Sequence, residues 1–121
     1  NITFNVSPGS YNGNTGGSGS TNPGTTTGDI GITNVDLVNE IVTLKNYSNA
    51  DINMTGWKLV SVEGNQVFNF PIGYVMPANS QITIASGKAD GTLKWTSAYI
   101  WNNDGDRAEL YDGTGTLVSY K

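Results

Sequence analysis

Trp57-Lys-Leu-Val-Ser-Val62, Glu63-Gly-Asn65 and Gln66-Val-Phe-Asn-Phe70 read in succession as a strand, a turn and a second strand. Side chains alternate across a strand, so Trp57 and Leu59 share one face of the first run, and Phe68 and Phe70 share one face of the second. Gly64 and Asn65 are turn residues, and Pro71, with no N–H to donate, ends the run. A two-stranded unit with one apolar face is marginal alone and must pack on another layer. The rest of the chain has to supply that layer.

The flanks do so in the same idiom. Ile30 to Val35 and Glu40 to Asn46 are short β runs, with Val42 and Leu44 on one face of the latter. Gln81 to Ala85 puts Ile82 beside Ile84. Tyr99 to Trp101 and Arg107 to Tyr111 flank a tight Asn-Asp-Gly connection, and Asp112-Gly-Thr-Gly115 turns the chain into Thr116 to Tyr120. No helical periodicity competes. About seven to nine short strands with turn signals at close intervals predict an all-β sandwich or barrel. The expected core is Trp57, Leu59, Phe68, Phe70, Ile82, Ile84, Trp101 and Leu110. Burying Trp57 removes on the order of 200 Å² from water, so Trp57→Ala is expected to lower the melting temperature sharply.

Charge divides the 121 residues. Residues 1–28 carry no Asp, Glu, Lys or Arg, so all ten acids and six bases lie from Asp29 onward. The predicted folded unit is therefore 29–121, large enough to bury roughly 60–65% of its unfolded surface. Ser7 to Gly28 is Gly, Ser, Thr and Asn except for Pro8, Tyr11 and Pro23. Such a stretch buries too little apolar surface to offset its ordering entropy and reads as a linker, reaching roughly 26 Å end to end. Asn1-Ile-Thr-Phe-Asn-Val6 alternates polar and apolar residues and reads as a short strand left from an upstream domain.

Composition excludes much chemistry. Without cysteine there is neither disulfide nor thiolate, and without histidine the commonest general base and transition-metal ligand are missing. A net charge of −4 gives no broad positive field for polyanions. Apolar runs are too short to span a membrane as helices. The serines have no His or Ser-x-x-Lys partner to activate them, so no catalytic residue and no cofactor are expected.

Asn102-Asn-Asp-Gly-Asp106 is the most suggestive polar cluster. The oxygens of Asn102, Asp104 and Asp106 make a Ca²⁺ candidate. The rival reading is a turn in which Gly105 takes positive φ and the Asn and Asp side chains cap local backbone. The turn is preferred, because EF-hand spacing would put the first and last ligands at Ile100 and Tyr111. Asp112-Gly-Thr-Gly115 contains the tripeptide of aspartic proteases, but that chemistry needs two such carboxylates, so a turn is expected. Trp95 lies in the polar stretch Leu-Lys-Trp-Thr-Ser and, with Lys94, is the candidate ligand contact. Lys45, Lys58, Lys88 and Arg107 form no stripe. Asn-x-Ser/Thr sequons stand at Asn1, Asn5, Asn46 and Asn53.

A resemblance sharpens the fold. Glu40-Ile-Val-Thr-Leu-Lys-Asn46, Met54-Thr-Gly-Trp-Lys-Leu59, Phe68-Asn-Phe-Pro71, Gln81-Ile-Thr-Ile-Ala-Ser-Gly87, Leu93-Lys-Trp95, Trp101-Asn-Asn-Asp-Gly-Asp106 and Ala108-Glu-Leu-Tyr-Asp-Gly113, in that order, resemble the lamin tail domain family over residues 29–121. The resemblance implies an Ig-like β-sandwich of two antiparallel sheets without a disulfide. It also implies a non-catalytic structural or interaction module of the prokaryotic type, at the C-terminal end of a larger secreted or cell-surface protein; modules of this type often stand beside hydrolase or nuclease domains. A nuclear-lamina role is not expected, since no rod, nuclear-localisation cluster or prenylation tail accompanies it. The expected partner is a macromolecule, protein first; carbohydrate binding and a DNA-binding accessory role are the alternatives, the latter disfavoured by the acidic charge. The isolated domain is expected to be a monomer.

Overall fold

The structure, a computed structural model, describes residues 25–26 and 28–121. The expected strand Asn1–Val6 and nearly all of the expected 7–28 linker lie outside the described residues. Those described form eleven strands and no helix: β1 Thr25–Thr26, β2 Ile30–Asp36, β3 Ile41–Asn46, β4 Ile52–Asn53, β5 Lys58–Ser61, β6 Gln66–Asn69, β7 Val75–Met76, β8 Gln81–Ser86, β9 Leu93–Thr96, β10 Ala108–Tyr111 and β11 Leu117–Tyr120. They build a four-stranded sheet ordered β9-β8-β3-β2, a five-stranded sheet ordered β1-β11-β10-β5-β6, and the two-stranded ladder β4-β7. The β5–β6 hairpin pairs in even register, with Leu59 opposite Phe68 and Ser61 opposite Gln66.

Alternation places the core between the two large sheets. Strand β3 is buried at every second residue, so Val42 and Leu44 point inward with Ile82 and Ile84 of β8 and Ile30 and Ile32 of β2. Leu59, Phe68, Ala108, Leu110 and Val118 answer from the five-stranded sheet. Each large aliphatic so buried contributes about 1.5–3 kcal/mol, and no cysteine is present to cross-link the layers. Of the expected core, Leu59, Phe68, Phe70, Ile82, Ile84, Trp101 and Leu110 are buried.

Trp57 is a correction. It precedes β5 at a corner, its N–H bonded to the Met54 carbonyl and its carbonyl accepting from Phe70 N–H, both at 3.0 Å. That corner leaves the indole half-buried against the rim of the core, while the fully buried Met54 and Met76 fill the interior. Trp57→Ala is therefore expected to cost less than truncating Leu59 or Leu110.

Three further boundaries move. Thr25–Thr26 pairs with β11, Thr26 opposite Ser119 and Thr25 opposite Tyr120, so the fold begins ahead of Asp29. The four-stranded sheet is not wholly antiparallel, for β9 runs parallel to β8. Residues 87–92 double back along β8, fastened where Thr83 and Thr92 each donate a backbone N–H to the other's hydroxyl, at 3.1 and 3.0 Å. Gly91 permits that approach, since a Cβ there would lie 2.7 Å from Thr83 Oγ1. Finally, Tyr99 to Trp101 is not a strand, because the Ile100 and Trp101 N–H groups donate to a side chain.

That side chain is Glu40, 1% exposed and held at φ 63° at the entrance to β3. Its Oε1 accepts from Ile100 N–H at 2.5 Å and from Ser86 Oγ at 2.9 Å, and its Oε2 from Trp101 N–H at 2.9 Å. The Glu40 carbonyl also accepts from Ser86 N–H at 3.0 Å. One carboxylate thus ties the β2–β3 connection to β8 and to segment 98–101. Without these donors its burial would be costly.

Candidate interaction surface

The Asn102–Asp106 segment is a braced loop. Asp106 Oδ2 accepts from Ser61 Oγ at 2.6 Å and Asn102 N–H at 3.2 Å, while Oδ1 accepts from Glu63 N–H at 3.0 Å. Asn102 Oδ1 accepts from Asp104 N–H at 2.9 Å, and Gly105, at φ 140°, donates to the Asn102 carbonyl. These oxygens are directed at protein donors in the manner of a side-chain-capped turn. The loop joins segment 98–101 to β10 and is no hairpin between paired strands. Asp104 stays exposed, and among the described residues no group of three or more acidic side chains is placed to hold a metal ion.

Asp112 behaves alike on a smaller scale. Its Oδ1 accepts from the Thr114 N–H and hydroxyl and from Thr116 N–H. The Thr114 hydroxyl first, then the Thr116 amide, hold its carboxyl below the usual 3.8.

Trp95 and Lys94, the candidate ligand contacts, both serve the architecture. The Trp95 ring packs 5.7 Å from Phe68 and 5.9 Å, edge-on, from Trp101. The Lys94 ammonium donates to the Gly87 carbonyl at 3.0 Å and to the Ala89 carbonyl. Asn46, a sequon residue, is fully buried. Its amide donates to the Ala50, Met76 and Pro77 carbonyls, and its oxygen accepts from Ser48. A glycan there is incompatible with the fold.

What remains outward is a set that the motif reading passed over. In Arg107-Ala-Glu-Leu-Tyr111, Ala108 and Leu110 point into the core, so Arg107, Glu109 and Tyr111 stand on the outer face of the five-stranded sheet. Arg107 Nη2 lies 2.8 Å from Glu109 Oε2, and Tyr111 donates its hydroxyl to Glu109 Oε1 at 2.7 Å. The Arg107 guanidinium sits 3.9 Å from the centre of the Tyr120 ring. The Glu109 carboxylate, accepting that hydroxyl, pushes the Tyr111 phenol above its ordinary 10.0. Register extends the row, for Tyr120 lies opposite Glu109, Glu109 opposite Val60, and Val60 opposite the exposed Val67. The signal was legible as period-two alternation, had it been read for its outward half.

A disulfide-free pair of packed β-sheets, its polar side chains chiefly bracing loops, defines an Ig-like β-sandwich domain. The chain belongs to the Lamin Tail Domain family, whose model matches residues 23–120. That match starts just ahead of β1, in keeping with the pairing of Thr25–Thr26.

Proposed function

We propose that this domain is a non-catalytic interaction module that positions or anchors a larger secreted or cell-surface prokaryotic protein, of the kind that often carries a hydrolase or nuclease domain. The observation that carries the reading is the outer face of the five-stranded sheet. There Arg107, Glu109, Tyr111 and Tyr120 are already fixed by one another, so a partner meets them with little side-chain entropy left to lose. Tyrosine and arginine are the residue types that dominate protein–protein contacts, which favours a protein partner. The charge-free Gly/Ser/Thr/Asn stretch ahead of the domain is of the kind that tethers modules in extracellular proteins, and it supports the surface setting.

Carbohydrate binding is the second reading, favoured by two tyrosines flanking a hydrogen-bonding pair on one sheet face. Binding of the wild-type chain and of Arg107→Ser/Tyr120→Ser should be measured against solubilised envelope protein, a polysaccharide panel and duplex DNA. Saturable binding to envelope protein that the double variant loses is expected. Exclusive retention on polysaccharide would transfer the function to the second reading. Hydrolysis of an ester, glycoside or nucleic-acid substrate by the purified chain would overturn the non-catalytic assignment.

A further inference from the structure

An open sheet edge presents outward N–H and C=O groups to any strand that can reach it. Among the described residues, three of the four edges of the two large sheets are poor templates. Strand β1 offers two described residues. Strand β2 is bulged between Ile32 and Asn34, and its Ile32 N–H is taken by Ser119 Oγ at 2.9 Å. Strand β9 carries Lys94 and a register shift between Lys94 and Thr96. Strand β6, Gln66-Val-Phe-Asn69, has no charge, no proline and no shift in register.

Its outward groups can be assigned. Phe70 N–H donates to the Trp57 carbonyl at 3.0 Å, which sets the alternation of the ladder. Phe68 and Gln66 therefore exchange bonds with Leu59 and Ser61, while the N–H and C=O groups of Val67 and Asn69 point away from β5. Val67 is 45% exposed, and Gln66 and Asn69 are exposed as well.

We propose that β6 is a self-association edge, and that two copies of this chain pair through it antiparallel about a two-fold axis at Phe68. In that register Val67 of each copy faces Asn69 of the other, so the outward groups of both residues are satisfied at once. No like charges meet, since the strand has none; the same operation on β9 would bring two lysines toward each other. The two five-stranded sheets become one continuous sheet, and the outer faces bearing Arg107 and Tyr120 lie on the same side.

The interface is small, well under the roughly 1,000 Å² of a stable complex, so the dissociation constant belongs between about 0.1 and 1 mM. Copies held on neighbouring tethers reach effective concentrations of that order. This departs from the monomer expected of the sequence, and it goes beyond the proposed function, which needs no second copy.

Sedimentation velocity on the 121-residue chain, from about 10 μM to 1 mM, is the test. A dimer fraction rising with concentration is expected, with at least tenfold weaker association for Val67→Lys and none of that loss for Val38→Lys, exposed in the β2–β3 connection of the other sheet. Thermal melts of both variants show whether the fold is kept. In the wild type, amide exchange at Val67 and Asn69 should slow as concentration rises. A chain that stays monomeric at the highest concentration, a dimer indifferent to Val67→Lys, or exchange at both amides independent of concentration overturns the proposal. None of these results touches binding to a different macromolecule.

Discussion

Two loops at opposite ends of the sandwich are each held by one carboxylate, and they are held differently. Asp112 reaches only Thr114 and Thr116, within four residues of itself, at the surface. Glu40 reaches Ser86, Ile100 and Trp101, 46 to 61 residues away, and is shut off from water. A surface cap competes with solvent for the same hydrogen bonds, so its net worth is small. A buried acceptor serving three donors has no such competitor, and removing it leaves every donor unpaired. Distance along the chain therefore goes with energetic weight here, and the difference can be attacked from both ends.

The largest expected effect is at Glu40. Glu40→Ala strands the Ser86 hydroxyl and the Ile100 and Trp101 amides, and should cost about 3–5 kcal/mol in chemical denaturation. Glu40→Gln should recover only part of this, because its NH₂ would face a donor where the carboxylate presents an acceptor. A Glu40→Ala protein as stable as wild type would break the contrast outright.

Asn46 comes next. It is neutral and buried, its amide hydrogens shared among the carbonyls of Ala50, Met76 and Pro77. Asn46→Asp keeps the shape but removes the donor, and should cost about 2–3 kcal/mol, read as a lowered urea midpoint with unchanged slope. An effect as large as that of Glu40→Ala would erase the ranking of the two sites.

The smallest effect belongs to the surface caps. Asp36, bonded by the Asn39 amide and side chain, and Asp112, bonded by Thr114 and Thr116, are both held below 3.8. A depressed carboxyl contributes stability that is present above its unfolded value and lost as pH falls through the folded one. Carboxyl NMR titration should place both midpoints under 3.8, with a slight loss of stability confined to that acid range. At the alkaline end, the raised Tyr111 phenol contributes below pH 10 and loses its contribution as pH climbs past its folded value. Tyr111→Phe should flatten that alkaline limb.

Legibility followed the same division. The Asp112-Gly-Thr-Gly115 turn was readable because its donors lie within a few residues of Asp112, and the local caps of Asn102–Asp106 were readable for the same reason, whereas the Ser61 and Glu63 donors to Asp106, 45 and 43 residues away, were not. The β5–β6 hairpin was readable because alternation and Pro71 are local facts. Tyr99 to Trp101 misled as a strand, since its amides satisfy a glutamate some sixty residues earlier. The β8–β9 parallel pair was hidden for a related reason, for six intervening residues are too few for an ordinary crossover, and the chain folds back only with Gly91 against Thr83. Trp57 shows that aromatic size predicts burial only when backbone direction agrees. The outer face of β10 was implicit in the alternation that made Ala108 and Leu110 core, yet its cohesion depends on Tyr120 arriving from the next strand.

By itself, the order of apolar and turn residues determined an all-β sandwich and most of its interior residues, because side-chain alternation and turn chemistry act between near neighbours; the absence of cysteine excluded a disulfide, and the family was legible through the resemblance of its motifs. Only the tertiary structure decided which carboxylate is buried, which sheet edge the described residues leave unpaired and which outward side chains meet. Those outcomes depend on segments far apart in the chain being brought within about 3 Å, the range over which hydrogen bonds act.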